Sequence, residues 1–259
     1  MSQSTAMSLS ARGAAAFAAA LTLSGVASTA QAQTRNSPPP QPAPHAVGLM
    51  ATPHASAATR YSTPDGQVRF VFDRTLGRVA LVRFEGDPEV HVLRPVMAAG
   101  GGEIYRTENS DVILRVLPGG AITVYTRLHR DGSPAAEEAQ VPPLTPEAVQ
   151  EAFMRERLRQ LQIAAARSLG QQVTFDAVQV SGPASGVVLD AAERAAQGLS
   201  RAPTTTIRRV IITIGPTPGA VVRQETLIIQ VAPQMGYAGR PSSNTIRNVV
   251  TGDVQGPQQ

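Results

Sequence analysis

The most distinctive string for binding chemistry lies near the C-terminus, where residues 236–244 read GYAGRPSSN. A glycine-flanked arginine and two hydroxyls at a helix N-terminus can bind a carboxylate or phosphate through charge-assisted hydrogen bonds and the helix dipole. The predicted ligand-binding residues are Arg240, Ser242, Ser243 and Arg247. The alternative interpretation is that Pro241 and the two serines only begin a helix after a strand.

A candidate nucleophile lies in residues 182–186, which read GPASG. A nucleophile elbow needs a glycine two positions before the serine and another two positions after it, so that strand and helix can approach at a strained turn. Here the second glycine directly follows Ser185 and a proline lies inside the string. Ser185 is therefore interpreted as a helix cap or turn residue, with a nucleophile as the alternative.

Two histidines, His91 and His129, are candidates for acid–base chemistry or metal binding. With Glu89, Glu103 or Asp111 they could form a mixed nitrogen and oxygen site if the strands bring them together. Their spacing matches no known ligand motif, so ordinary hydrogen-bonded histidines are the preferred interpretation. No catalytic residue, metal ligand or cofactor is predicted.

The composition excludes several chemistries. The chain has no cysteine, which rules out a disulfide framework, a thiol nucleophile, a thiolate metal site and a lipidated cysteine anchor. All 23 basic residues are arginine, so lysine-dependent mechanisms are excluded as well. The formal net charge of +4 is spread along the chain and is not typical of a nucleic-acid-binding protein.

The N-terminus has the three parts of an export signal. A short basic region ends at Arg12, an apolar run follows, and Ala30-Gln31-Ala32 fits the small-x-small cleavage site. We therefore predict a signal peptide over residues 1–32 and a periplasmic or secreted protein. Residues 33–59 are rich in proline and predict a disordered linker. No later segment is long and apolar enough to predict a membrane span.

Residues 60–130 alternate between apolar and polar positions, as half-buried strands do. Turn residues such as Pro64-Asp65-Gly66 and Pro118-Gly119-Gly120 separate the apolar runs. This pattern predicts a six-stranded antiparallel meander. The predicted strands cover residues 68–72, 79–84, 90–93, 104–105, 112–116 and 122–125. Arginines interleaved at 69, 83, 106, 115 and 127 predict that one face meets solvent or a partner.

The second half predicts a small α/β sandwich, which makes the fold class α+β with two helices and a β-hairpin. A polar connector is expected over residues 131–143, and the α/β part over 144–250. The predicted helices cover residues 145–169 and 186–199, and the predicted strands 173–180, 207–214 and 221–231. The last two strands are expected to form the hairpin. We predict one domain over residues 60–250 and a flexible tail over 251–259.

Several strings together resemble an uncharacterised secreted family of alphaproteobacteria that is classed as a domain of unknown function. The resemblance lies in residues 69–74, 81–90, 104–106, 119–123, 173–176 and 236–243. It covers about residues 61–247, nearly the whole predicted domain. It implies a periplasmic setting and one unit that spans both halves, and it assigns no catalytic residue.

A weaker likeness is to the small β-barrel periplasmic lysozyme inhibitors of the membrane-bound C-type class. Those proteins carry a Ser-Gly-x-x-Tyr segment and a downstream lysine. Residues 101–105 read GGEIY, so the serine is missing, and the chain has no lysine. The two departures weigh against inhibition by the same residues.

These observations predict a non-enzymatic binding or envelope-interaction module. Its expected partner is an unknown protein or anionic ligand of the cell envelope, with no nucleic acid, no membrane span and no lipid anchor. The expected binding surface is the exposed face of the meander or the segment 239–247. The alternatives are a hydrolase that uses Ser185 or the pair His91 and His129, and a β-barrel-like inhibitor of an envelope hydrolase.

Overall fold

The computed structural model describes residues 57–202 and 204–253. The expected signal peptide, almost all of the expected linker and residues 254–259 of the expected tail lie outside the described residues. The first half of the described chain is a closed antiparallel barrel in which each strand pairs with the next. Its strands are β1 Ala58–Ser62, β2 Arg69–Asp73, β3 Ala80–Phe84, β4 His91–Met97, β5 Glu103–Arg106, β6 Val112–Val116, β7 Ile122–Val124 and β8 Ser133–Val141.

Apolar side chains fill the barrel interior. They come from alternate positions of the strands, because successive side chains point to opposite faces. Phe70 stacks on Tyr61 with ring centroids 5.5 Å apart, and Phe72 meets Tyr105 edge-on at 4.9 Å. Leu93 and Leu114 are fully buried in the same cluster. The barrel interior is therefore a packed core.

The expected antiparallel meander is present, but its sheet closes into an eight-stranded barrel. The six expected strands are present, and β1 and β8 join them by pairing with each other, from Ala58 opposite Val141 to Ser62 opposite Ala136. Strand β8 covers most of residues 131–143, where a polar connector was expected. Its sequence SPAAEEAQV is largely exposed, so it has no apolar alternation to reveal it. Backbone pairing with two neighbours, β1 and β7, holds it in the barrel.

The second half packs three helices and a 3₁₀-helix with a four-stranded sheet. Its elements are α1 Glu151–Leu169, β9 Thr174–Ala177, α2 Pro183–Ser200, β10 Arg209–Ile214, β11 Gly219–Arg223, β12 Thr226–Val231, the 3₁₀-helix Pro233–Gly239 and α3 Ser243–Thr251. The strand order is β11-β12-β10-β9. The buried side of α2 packs on apolar residues of the sheet, including Val210, Ile212, Leu227 and Ile229. The α+β class is thereby confirmed.

The expected pairing of the last strands was wrong. The run 221–231 is broken at Gln224, whose φ of 54° makes a turn, so the hairpin joins β11 to β12. Strand β12 then lies parallel to β10, with Val210 opposite Leu227. The alternation of apolar and polar residues determines which face of a strand is buried, but it does not determine which strand pairs with it.

The first helix ends at Gly170 as expected, in the left-handed conformation that glycine adopts easily. It begins at Glu151, later than the expected Thr145, and residues 142–150 have no regular secondary structure. This segment is called the connector below. In the described part of the chain, no helix has the length and apolar character needed to cross a membrane.

Candidate functional site

The predicted anion-binding arginine, Arg240, lies in a buried arginine–carboxylate cluster. The cluster consists of Glu89 from the β3–β4 loop, Asp190 and Arg194 from α2, and Arg240 between the 3₁₀-helix and α3. Glu89, Arg194 and Arg240 are only 1%, 2% and 3% exposed. Charged residues are rarely buried to this extent unless they are paired. The cluster joins a barrel loop to the helices of the second half.

Arg240 is bound by groups of its own chain. Its Nε donates to Asp190 and its Nη2 donates to the Val90 carbonyl at 2.8 Å. The guanidinium carbon lies 5.9 Å from the centre of the Tyr237 ring, within cation–π range. Its Nη1 is buried, lies 3.9 Å from a Glu89 oxygen and makes no hydrogen bond among the described residues.

Two barrel carboxylates occupy the N-terminus of α3. Glu89 accepts hydrogen bonds from the backbone N–H of Ser243 at 3.1 Å and from the Ser243 hydroxyl. Ser242 caps the helix by accepting from the Thr245 N–H at 3.1 Å, and its hydroxyl also contacts Glu108. Negative groups are favoured at helix N-termini because the unpaired N–H groups and the dipole are positive there. Helix-start chemistry at Ser242 is thus confirmed.

The carboxylates that Arg240, Ser242 and Ser243 hold in the structure belong to this chain. The fourth predicted residue, Arg247, donates to the side chain of Asn248 at 2.8 Å. Binding of an external anion by these four residues stays a prediction. Sequence reasoning did not identify Asp190, the partner of Arg240, or Arg194, which lies near the same carboxylates, although opposite charges four residues apart in an alanine-rich helix were a visible signal.

Arg194 completes the cluster from the centre of α2. Its Nη1 donates to Gln197 at 2.8 Å and lies 3.7 Å from Glu89, and its Nε lies 3.6 Å from Asp190. Its Nε is buried and makes no hydrogen bond within the described residues. Its Nη2 also lies 3.5 Å from Glu193, so three carboxylates compensate the two arginines, and only Glu89 and Asp190 lie near both of them.

Ser185 holds the connector against α2. It is 1% exposed, donates to the Gly182 carbonyl at 2.6 Å and accepts from the Val149 N–H at 2.8 Å. A β-carbon placed on neighbouring Gly186 would lie 2.1 Å from the Glu147 carbonyl oxygen, so the connector backbone needs this glycine. Ser185 is the third residue of α2, whose N-cap is Gly182, so the expected cap or turn position was wrong; its hydroxyl is bound by backbone groups of Gly182 and Val149.

His91 and His129 are not joined to each other or to Ser185 by any contact in the described residues. His91 Nε2 lies 3.0 Å from Asp87, and His129 Nε2 lies 3.3 Å from Asp65. The hydrogen bond with His91 holds the pKa of Asp87 below its ordinary value. Within residues 57–202 and 204–253, no three His, Asp or Glu side chains lie close enough together to hold a metal ion. Each histidine thus forms a local pair with an aspartate.

A depression of about 620 Å³ lies on the outer wall of the barrel, over β1, β2 and β3. Its walls carry three exposed arginines, Arg60, Arg69 and Arg83, and we call it the arginine groove. Arg60 is paired across the sheet with Val71, which is paired in turn with Arg83. Two arginines therefore flank an apolar residue in a single row across three strands.

Charges in the groove are unevenly distributed. Arg69 lies 3.6 Å from Glu138, while Arg60 and Arg83 form no ion pair with any residue that the structure describes. Glu85, at the turn after β3, also has no cationic partner within the described chain. The two central arginines are thus available to a ligand, and the β3–β4 end of the groove is acidic.

A second depression of about 340 Å³ adjoins the groove on the connector side and shares Arg60, Val71 and Arg83 with it. It is lined by Pro142, Pro143, Leu144, Thr145, Glu147 and Tyr237. Burial raises the pKa of the Tyr237 hydroxyl. Since the same tyrosine ring lies near Arg240, the groove ends next to the buried arginine–carboxylate cluster.

Fold and site define a closed β-barrel with an attached α/β layer and, on the barrel wall, a groove lined by three arginines and three carboxylates. A family model described as a domain of unknown function, DUF4908, matches residues 47–250, and the chain belongs to this family. Comparisons with curated proteins and with solved structures gave no match. The expected resemblance to an uncharacterised family is confirmed at this level.

Proposed function

We propose that this protein is an exported, periplasmic, non-enzymatic binding module and that the arginine groove holds its partner. One observation carries the proposal: the groove presents two exposed arginines, Arg60 and Arg83, with no carboxylate partner in the described chain, on either side of Val71. Its volume is in the range of ligand sites. The sequence of residues 1–32 supports export.

The rigid support of the groove favours a binding role. Val71 is 8% exposed and lies on a strand whose next residue, Phe72, is packed in the barrel core. Binding sites built on strands are held more precisely than those on loops. The candidate hydrolase residues give no such support, because Ser185 and the two histidines each bind separate local partners.

Site-specific photo-crosslinking in the native envelope tests the proposal. A photoreactive side chain at Glu85, in the groove wall, is expected to give a discrete adduct. The adduct should disappear when Arg60 and Arg83 are both replaced by alanine, because the partner then loses its charge-assisted contacts. A probe at Leu128, which is 66% exposed in the β7–β8 loop, is the control. An adduct that persists in the Arg60→Ala/Arg83→Ala variant would contradict the proposal.

A second candidate function is inhibition of an envelope hydrolase by the barrel, because the closed eight-stranded barrel is compatible with the architecture of known inhibitors. The expected result is that stoichiometric protein lowers the activity of a C-type lysozyme on cell-wall substrate. The Arg60→Ala/Arg83→Ala variant should then inhibit less. Unchanged lysozyme activity at a large excess of protein argues against this candidate.

A further inference from the structure

We propose that one end of the barrel binds the surface of an anionic lipid bilayer, with its loop tips in the headgroup layer. We call it the distal end. Its loops are residues 74–79 between β2 and β3, 98–102 between β4 and β5, and 117–121 between β6 and β7. The proposal does not depend on the role of the arginine groove.

Strand pairing places these three loops together. Each strand is antiparallel to the next, so every second loop lies at the same end of the barrel. Two of the loops are in contact, since a β-carbon on Gly101 would lie 3.2 Å from the Pro118 side chain. The helices of the second half are bound at the other end, where Glu89 and Glu108 contact the start of α3. The distal end therefore faces away from those helices.

Apolar side chains are exposed at the distal end. Met97, the last residue of β4, is 74% exposed, and Leu76 and Leu117 in the neighbouring loops are 47% and 39% exposed. Exposed apolar residues that lie close together mark interaction surfaces. Most other residues of the three loops are glycine, alanine, valine or proline. Their residues with polar side chains are Arg74, Thr75 and Arg78.

The two ends of the barrel differ in charge. The distal loops contain two arginines and no carboxylate. Two carboxylates border them: Asp73 is buried, and Glu103 is partly exposed and accepts a hydrogen bond from Tyr105. A negative surface attracts exposed arginines and repels carboxylates, so it would bind the distal end and not the other. Besides Glu89, the loops of the other end contain six carboxylates: Asp65, Glu85, Asp87, Glu108, Asp111 and Asp131.

A bilayer suits the distal end better than a protein partner does. Protein interfaces are enriched in aromatic residues and carry a rim of hydrogen-bonding groups. The distal loops contain no aromatic residue, and few of their side chains can form hydrogen bonds. Leu76 lies between Arg74 and Arg78 in one loop. This arrangement is typical of interfacial binding, in which apolar side chains enter the acyl boundary and basic groups meet lipid phosphates.

A fluorescent probe at a single position tests both the contact and its direction. The chain has no cysteine, so an introduced cysteine is labelled uniquely. The mature chain with Met97→Cys carries an environment-sensitive dye and is mixed with vesicles of phosphatidylcholine and about one-third phosphatidylglycerol. Its emission is expected to rise and shift to shorter wavelengths, because the dye enters the apolar boundary. The same dye at Leu128→Cys, in the β7–β8 loop at the other end, should not respond.

Sedimentation with the same vesicles measures the contribution of the loops. The Leu76→Ser/Met97→Ser variant should bind at least about tenfold more weakly, because it loses two apolar side chains that enter the bilayer. The matched control, Leu128→Ser/Met235→Ser, should stay within about twofold of wild type. All four residues are exposed, so neither variant loses core packing. Arg78→Glu should weaken binding at low salt and have a smaller effect at high salt.

Several results would overturn the proposal. These are a dye response at both ends or at neither, equal losses in the two serine variants, and equal binding to vesicles of phosphatidylcholine alone. A dye at Met97 that is already shielded before vesicles are added would show that the chain itself covers the loops. An emission that changes with protein concentration in the absence of lipid would show that a second copy covers them. Either result would also reject the bilayer as the partner.

Discussion

Replacing Glu89 by glutamine is expected to lower the free energy of unfolding by about 3–5 kcal/mol. Glutamine keeps the shape of the side chain and removes its charge, which leaves Asp190 as the remaining carboxylate close to both Arg194 and Arg240. Both arginines are almost completely buried, so neither can regain water without opening the contact between the barrel and the helices. Denaturant unfolding followed by circular dichroism measures the loss.

The matched control is Glu225→Gln, which removes the same charge from an ion pair with Arg208 in which both side chains are more than half exposed. This variant should lose no more than about 1 kcal/mol. A double-mutant cycle of Glu89→Gln with Arg194→Gln should give a coupling of about 1 kcal/mol or more, because the two side chains share the cluster. A Glu89 loss no larger than that of the control would show that the cluster does not hold the two halves together.

The second large effect is expected for Gly186→Ala, with a loss of about 2–3 kcal/mol, because the added methyl overlaps backbone atoms. Its β-carbon would lie 2.1 Å from the Glu147 carbonyl oxygen and 3.0 Å from the carbonyl carbon. Alanine is otherwise the better helix former by about 1 kcal/mol. A lower free energy of unfolding would therefore indicate a tight contact with the connector, whereas a higher one would indicate that helix propensity dominates.

Gly119→Ala is the control for this measurement, since a β-carbon there meets nothing within 4 Å. It should change stability by less than about 0.5 kcal/mol. A Gly186→Ala variant as stable as wild type would mean that the connector can move away from α2 at little cost.

Much of the local structure could be predicted from the sequence. The six expected barrel strands are present because their apolar residues alternate and their turns carry glycine, proline and aspartate. The end of α1 at Gly170 and the start of α3 at Ser242 follow from cap chemistry that acts over a few residues. The exposure of Arg69 and Arg83 followed from the same alternation.

Other features depend on pairing between distant segments. Strand β8 has a polar sequence, and only its backbone pairing with β1 shows that the sheet closes. The parallel pairing of β10 with β12 has the same origin, since alternation is equally consistent with a direct hairpin.

The candidate site shows the same division. The sequence by itself determined that Arg240, Ser242 and Ser243 can bind carboxylates. The hydroxyl groups, the guanidinium group and the start of a helix can all be recognised from neighbouring residues. Only the tertiary structure decided which carboxylates these are. Glu89 lies more than 150 residues before Ser243 in the chain, and Asp190 lies about 50 residues before Arg240. It also placed Arg60 beside Arg83 across Val71, because side chains on different strands become neighbours only when hydrogen bonding sets the register of the barrel.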